Sequence, residues 1–454
     1  MRMMNKPAIE IGENKVYSGH NLEILKTFDD NSIDSIVTDP PYELGFMSKS
    51  WDSTGIAYSV ELWRECLRVL KPGGHLLAFG GSRTWHRLAV AIEDAGFEMR
   101  DSIAWLYGSG FPKSHNISKA IDKLHGAERE VIGQTMASPK GISQAENRSD
   151  TAAGAYGGEA KLIDITAPAT DDARKWDGWG TALKPAFEPI VVARKPLIGT
   201  VAENVLQFGT GGINIDASRI GTEQTKTTIK DLSQAHGNQF GKAGIEYPKL
   251  GEKLNPPGRW PANVILDETT AELLDEQSGI IKSVATNRGL QYSGSHGGLA
   301  GEHKQYKEGT DGVRGHTDSG GVSRFFYVAK ASKRDRNEGL DELPLGDRDF
   351  MGSGGRTKKD GIWVETNSVP QQRQNFHPTV KPTQLMKYLI KLVTPEAGIV
   401  LDPFAGSGST GKAAILEGYT FIGIELTDDY LPIIEGRLQH AYETYINKAD
   451  DLFE

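Results

Sequence analysis

Apolar runs of strand length alternate with stretches at helical spacing at both ends of the chain. Near the N-terminus, Val16 to Leu25 reads as a short strand, a glycine turn and then a helix. Ile33-Asp34-Ser35-Ile36-Val37-Thr38 is short, rich in β-branched residues and cut off by proline, which marks a buried strand. An amphipathic helix over Tyr58 to Leu70 ends at Lys71-Pro72-Gly73-Gly74, a strong stop signal. A buried strand over His75 to Gly80, a helix over Arg87 to Ala95 and a strand over Ser102 to Tyr107 follow. The C-terminal block repeats the alternation. It predicts a helix over Gln384 to Val393, a strand over Gly398 to Asp402, a helix over Thr410 to Glu417 and a strand over Thr420 to Ile424. Such alternation predicts an α/β sheet with helices on both faces.

Between about Phe111 and Asn375 the pattern breaks. Gly, Ser, Asn and charged residues cluster at 136–158, 221–258 and 286–321, with ordered-looking stretches between them at Trp176 to Lys195, Gly258 to Ile265 and Arg324 to Val328. No repeat of fixed period is present. Long glycine-rich loops inside a domain are usually functional or disordered. Plain surface loops are the competing reading.

Composition narrows the class. At 454 residues the chain exceeds one average domain, so a core domain with a large second region is expected. With 38% hydrophobic residues and no apolar run of membrane-spanning length, a soluble protein without a membrane partner is expected. The N-terminus lacks the apolar core of a signal peptide, and a cytoplasmic location is the simplest expectation. A single cysteine excludes an internal disulfide framework and a multi-cysteine zinc site, and no metal is expected. The net charge of −9 argues mildly against nucleic acid as a partner. Binding needs only a local positive stripe, however. One runs from Ser323 to Arg336, where the basic residues outnumber the lone Asp335, whereas acids gather between Asp428 and Glu454.

Two stretches carry chemistry. Asp39-Pro40-Pro41-Tyr42 follows the first buried strand. Its two prolines fix φ and remove two backbone donors, so the corner presents mainly acceptors. Asp39 and the Pro40 carbonyl suit an amino group, and Tyr42 offers a face for stacking; a nucleobase with an exocyclic amine fits. A turn in which Asp39 merely caps backbone groups is the alternative. Asp402-Pro403-Phe404-Ala405-Gly406-Ser407-Gly408 is a glycine-rich loop between strand and helix, where backbone approaches a ligand closely. Glu425, about 20 residues on, is placed to accept hydrogen bonds from ribose hydroxyls. Taken alone, that loop serves a dinucleotide equally well.

Together, Asp39-Pro40-Pro41-Tyr42 near one end and Asp402 to Gly408 near the other resemble the amino-methylating DNA methyltransferases, in the motif order of their β group. The resemblance implies a Rossmann-like, mostly parallel, doubly wound sheet, with S-adenosylmethionine as cofactor and double-stranded DNA as substrate. The Phe-Ala-Gly-Ser-Gly loop, which departs from Gly-x-Gly-x-x-Gly, and the accompanying amine site favour that cofactor over NAD. It implies a catalytic half over 1–112, an inserted target-recognition region over 113–372 and a cofactor half over 373–454. Asp39, Pro40, Pro41 and Tyr42 become catalytic candidates. Asp402, Pro403, Phe404, Ala405, Gly406, Ser407, Gly408, Glu425 and Leu426 become cofactor candidates, with His377, Thr379 and Lys381 near the methionine end. The family commonly has Gly-Asp where this chain has His20-Asn21, and Asn21 is the candidate there for a contact to the cofactor adenine.

The target base must be flipped out to reach such a corner. Arg324, Lys330, Lys333, Arg334 and Arg336 are candidates for DNA phosphates, a solvated face being the competing reading. Phe46 and Trp51 are candidates to cover the base, though core packing suits them better. Asp at the first motif position goes mainly with adenine N6, and cytosine N4 is the alternative. Cys66, inside an amphipathic helix, reads as a packing residue, which disfavours cytosine carbon-5 chemistry. Protein-glutamine methyltransferases typically carry Asn and place the cofactor loop first. An inert DNA-binding protein on the same fold is a more remote reading. Members of the family are often dimeric, which makes a homodimer an expectation.

Overall fold

Strand signals from both ends of the chain converge on one ten-stranded sheet. The computed structural model describes residues 6–44, 50–108, 110, 114–136, 162–223, 225–230, 249–283, 286–287, 313–314, 318–330, 333–343, 346–347, 356–359, 362–365 and 372–450. Phe46 lies outside them, as do the side chains of Trp51 and Lys333. Two compact units are present, Met1–Leu106 with Glu188–Glu454, and Tyr107–Phe187.

The sheet of the larger unit is built from β1 (Ile9–Ile11), β2 (Asn14–Ser18), β3 (Ile33–Thr38), β4 (Leu70–Phe79), β5 (Glu98–Leu106), β6 (Phe187–Arg194), β7 (Val264–Asp267), β8 (Tyr327–Ala329), β9 (Ile399–Asp402) and β10 (Thr420–Glu425). Their order across the sheet is β1-β2-β10-β9-β3-β4-β6-β5-β7-β8. Pairing is parallel from β2 through β10, β9 and β3 to β4, and again through β5, β7 and β8. Strands β1 and β2 pair antiparallel, as do β4 and β6. The sheet is therefore mostly parallel, as expected. Three of its strands, β6, β7 and β8, come from the irregular middle of the sequence, which thus contributes core as well as loops.

Central strands are buried on both faces, and period-2 alternation divides their side chains between two cores. Val37, Leu77, Phe79, Ile190 and Val192 face helices α4 (Thr383–Val393), α5 (Ser409–Leu416) and α6 (Leu431–Asp450). Ile36, Leu76, Ala78, Val191 and Ala193 face α1 (Asn21–Leu25), α2 (Val60–Val69) and α3 (Trp85–Asp94). Cys66 sits in this second core, where burial pushes its thiol pKa up, so it packs as expected. The polar residues of β3 are satisfied. Asp34 accepts from Lys71 at 2.6 Å and from the Ile399 amide at 2.8 Å, and Ser35 bonds Thr394 at 2.7 Å.

The expected helix stop is present, and the strand after it starts early. The stop at Lys71-Pro72-Gly73-Gly74 ends α2 but opens no loop; β4 begins at once at Leu70. The four residues form an irregularity between the pairs Ile33–Leu70 and Ser35–His75, with Gly73 at φ +80°. Pro72 lacks a donor, and Gly73 supplies a left-handed conformation that other residues adopt at a cost.

The smaller unit pairs a hairpin, Val131–Met136 against Leu162–Thr166, with the helix Ile117–Leu124. Its centre is the buried Asp122, which accepts from Arg129 at 2.6 Å and from the Thr170 hydroxyl at 2.8 Å. Among the described residues no helix is long and apolar enough to cross a membrane.

Candidate active site

Both motifs leave the sheet at the carboxyl ends of neighbouring parallel strands, β3 and β9. Ligands of open α/β sheets bind there. Thr38, the last residue of β3, donates to Asp402 Oδ1 at 2.6 Å, joining the two strand ends directly. Asp402 also accepts from the Phe404 amide at 3.0 Å and from Thr410 of α5 at 2.6 Å. Burial outweighs these bonds and pushes the Asp402 pKa up to about 6. Its oxygens hold the loop together.

The glycine loop turns tightly, with Gly406 at φ +55° and Gly408 at φ +72°. Its amide at Gly406 donates to Glu425 Oε2 at 2.8 Å, and Glu425 Oε1 accepts from the Thr427 amide at 2.8 Å. Glu425 is buried at the tip of β10, and burial raises its pKa. Each carboxylate oxygen keeps lone-pair capacity beyond these bonds. Asn21 Nδ2 donates to the Pro403 carbonyl at 3.2 Å and its Oδ1 accepts from the Leu22 amide, so its side chain braces the loop. Phe404 packs on Trp63, with ring centroids 6.4 Å apart, whereas Leu426 is exposed. Ser407 is buried on Arg437, whose Nη1 donates to the Ser407 carbonyl at 2.6 Å.

A strap from Asn375 to Pro382 crosses both motifs. His377 is buried, and a Cβ on Gly406 would lie 3.1 Å from its Nε2. Burial pushes the His377 pKa down to about 3, so the ring is neutral and Nδ1–H donates to the Thr379 carbonyl at 2.6 Å. Thr379 therefore enters through its backbone. Lys381 reaches the Asp39 corner. Its ammonium donates to Asp39 Oδ2 at 2.7 Å and to the Tyr42 hydroxyl at 3.2 Å, and lies 3.2 Å from Glu188 Oε2. Burial opposes that charge, but Asp39 and Glu188 outweigh it and push the Lys381 pKa up to about 12.

The Asp39 corner is thus a charged cluster under an apolar wall. Burial raises the Asp39 pKa, with Lys381 pulling the other way. Asp39 Oδ1 is buried and has no hydrogen-bond partner among the described residues. Tyr42 donates to Glu188 Oε2 at 2.8 Å, and its carbonyl accepts from Thr84 at 2.9 Å. Glu188 escaped the reading of the sequence. Its signal was an acid at the head of the apolar run Ile190-Val191-Val192-Ala193, where burial demands a partner.

The basic stretch divides. Arg324 donates to the Gly320 and Gly321 carbonyls at 2.6 Å each, lies 3.2 Å from Asp318 and covers the Phe325 ring. Arg336 holds the carbonyls of Asn375 and His377. These two side chains are engaged by the fold. Lys330 and Arg334 are exposed.

A family model for N6/N4 DNA methylases matches residues 33–196 and 302–436. The chain is 40% identical over 93 residues to the type II methyltransferase M2.DpnII of Streptococcus pneumoniae, covering 20% of this chain and 34% of that protein. It is 48% identical over 65 residues to the DNA adenine methyltransferase YhdJ of Escherichia coli K12, covering 14% and 22%. The matches thus span about a third and about a fifth of the length of these curated relatives. Among solved structures, the cytosine-N4-specific PvuII DNA methyltransferase aligns over 98% of this chain and 96% of its own, at 13% identity and a TM-score of 0.40, which carries no inference about substrate. With the match to the family model spanning well over half its length, the chain belongs to the N6/N4 DNA methylase family.

Proposed function

We propose that this protein transfers the methyl group of S-adenosylmethionine to the exocyclic N6 of an adenine flipped out of double-stranded DNA. One observation carries the reading: a buried carboxylate oxygen without a partner among the described residues, Asp39 Oδ1, beside a strand end bearing a glycine-rich loop. An unmet buried acceptor costs about 1–3 kcal/mol, and a donor arriving with the substrate relieves it.

The residues fit the cofactor. The left-handed Gly406 and Gly408 leave the loop backbone bare of side chains, and Glu425 offers carboxylate lone pairs to ribose hydroxyls. When bound, that cofactor supplies a methyl group on a positively charged sulfur. The chain's own residues handle the nucleophile. Amine nitrogens on nucleobases react poorly because the lone pair is delocalised into the ring. Asp39 Oδ1 and the Pro40 carbonyl accept the two amine hydrogens and draw the nitrogen toward a tetrahedral form as positive charge develops on it. Tyr42, fixed by Glu188 and Thr84, serves as the stacking platform. Lys330 and Arg334 supply phosphate contacts that offset the few kcal/mol of unstacking.

Aspartate at the first motif position supports adenine over cytosine, as does the similarity to the DNA adenine methyltransferase YhdJ of Escherichia coli. Unmethylated DNA incubated with protein and cofactor, digested to nucleosides and weighed by mass spectrometry should yield N6-methyladenine. N4-methylcytosine would overturn the base assignment, and no methylated nucleoside would overturn the activity.

A further inference from the structure

The Asp39 corner holds more charge than amine binding alone requires. Lys381 from the strap, Glu188 from β6 and the Tyr42 phenol converge on Asp39, and Asp402 faces it from β9 through Thr38. The Phe79 ring, with its centroid 4.8 Å from the Lys381 ammonium, closes one side. Lys381 occupies only one oxygen of Asp39 and leaves the other without a partner among the described residues. A lone Lys–Asp pair would be neutral and offer little to a nitrogen gaining positive charge. Glu188 brings the cluster to one net negative charge, and Tyr42 and Lys381 both bind its Oε2.

We propose that Lys381 and Glu188 are positioning residues for Asp39: Lys381 takes Oδ2 so that Oδ1 meets the target amine, and Glu188 restores the negative charge that Lys381 cancels. This inference rests on the amine-methylating reading. The division of labour has opposite signs for the two residues. Removing the cation leaves Asp39 beside another carboxylate and favours its protonated form, which donates where an acceptor is needed. Removing the Glu188 charge favours the ionised form but weakens the field on the developing cation.

The test uses the full chain with aspartate labelled by ¹³C at the side-chain carboxyl, the Asp39 resonance being the one lost in Asp39→Asn. Lys381→Met should raise the Asp39 titration midpoint by about one to three pH units. Glu188→Gln should lower it, the double variant should return it toward wild type, and Lys381→Arg should leave it close to wild type. In single-turnover methylation, the acidic limb of the pH–rate profile should follow the midpoints. Glu188→Gln should lower kcat more than it raises KM. Midpoints that stay put, or move the same way in both single variants, would overturn the inference. A wild-type protein that methylates no DNA while the midpoints move as stated would sink the methylation reading and leave the charge cluster standing.

Discussion

A buried carboxylate oxygen without a partner is expensive, and Asp39 tolerates one at the end of a strand whose other polar side chains are all satisfied. Glu425 poses the complementary case, since both its oxygens already hold backbone amides. Glu425→Ala should weaken S-adenosylmethionine binding by about 10- to 150-fold, from the loss of charged hydrogen bonds worth about 1.5–3 kcal/mol. Calorimetry would show it, and unchanged affinity would remove Glu425 from the site. Gly406→Ala forces a left-handed residue and places a Cβ 3.1 Å from the His377 ring. Thermal unfolding should report a loss of about 1–2 kcal/mol. At this scale the sequence displayed the short motifs, because Asp39, the prolines, the glycines and Glu425 stand at fixed local spacings. It did not display Glu188 or the destination of Lys381. Those depend on β6 lying beside β4 and on the path of the strap, facts set by packing between residues far apart in the chain.

Among the elements, the short helix Lys333–Asn337 links the basic stretch to helices α4 and α5. Asp335 accepts from the Thr383 amide at 2.9 Å and from Lys412 at 2.7 Å, and Glu338 accepts from Lys412 at 2.8 Å. Lys412 is 1% exposed, a cation among the small residues of α5. Breaking a buried pair from one side costs about 3–5 kcal/mol because the abandoned charges remain. Lys412→Met should therefore lower stability toward urea by about 3 kcal/mol, whereas truncating the exposed Arg334 should change it by less than about 0.5 kcal/mol. Run composition alone could not sort these cations. The stretch reads as uniformly basic, yet Arg324 and Arg336 are held by carbonyls and only the fold reveals it.

For the molecule as a whole, the helix and strand periods at the two ends sufficed to predict an α/β sheet, since each predicted element there was long and regular enough to show its period. The middle resisted because β7 and β8 span few residues between irregular loops, and their parallel partners lie far off in sequence. Asp402, where the halves of the sheet meet, ties stability to pH. Its folded-state pKa of about 6 lies above the unfolded value, so its contribution is fully present below pH of about 4 and is lost as pH rises through 6. Asp402→Asn should gain on wild type by about 2 kcal/mol between pH 4 and pH 7 in denaturant unfolding. A constant difference across that range would show that the group titrates normally.

The most direct measurement is methyl transfer from labelled S-adenosylmethionine to DNA by wild type and Asp39→Ala, with cofactor affinity measured on both proteins. Transfer should vanish in the variant while cofactor affinity stays near wild type. Retained transfer, or loss of cofactor binding with it, would contradict an amine held by Asp39 beside the glycine loop.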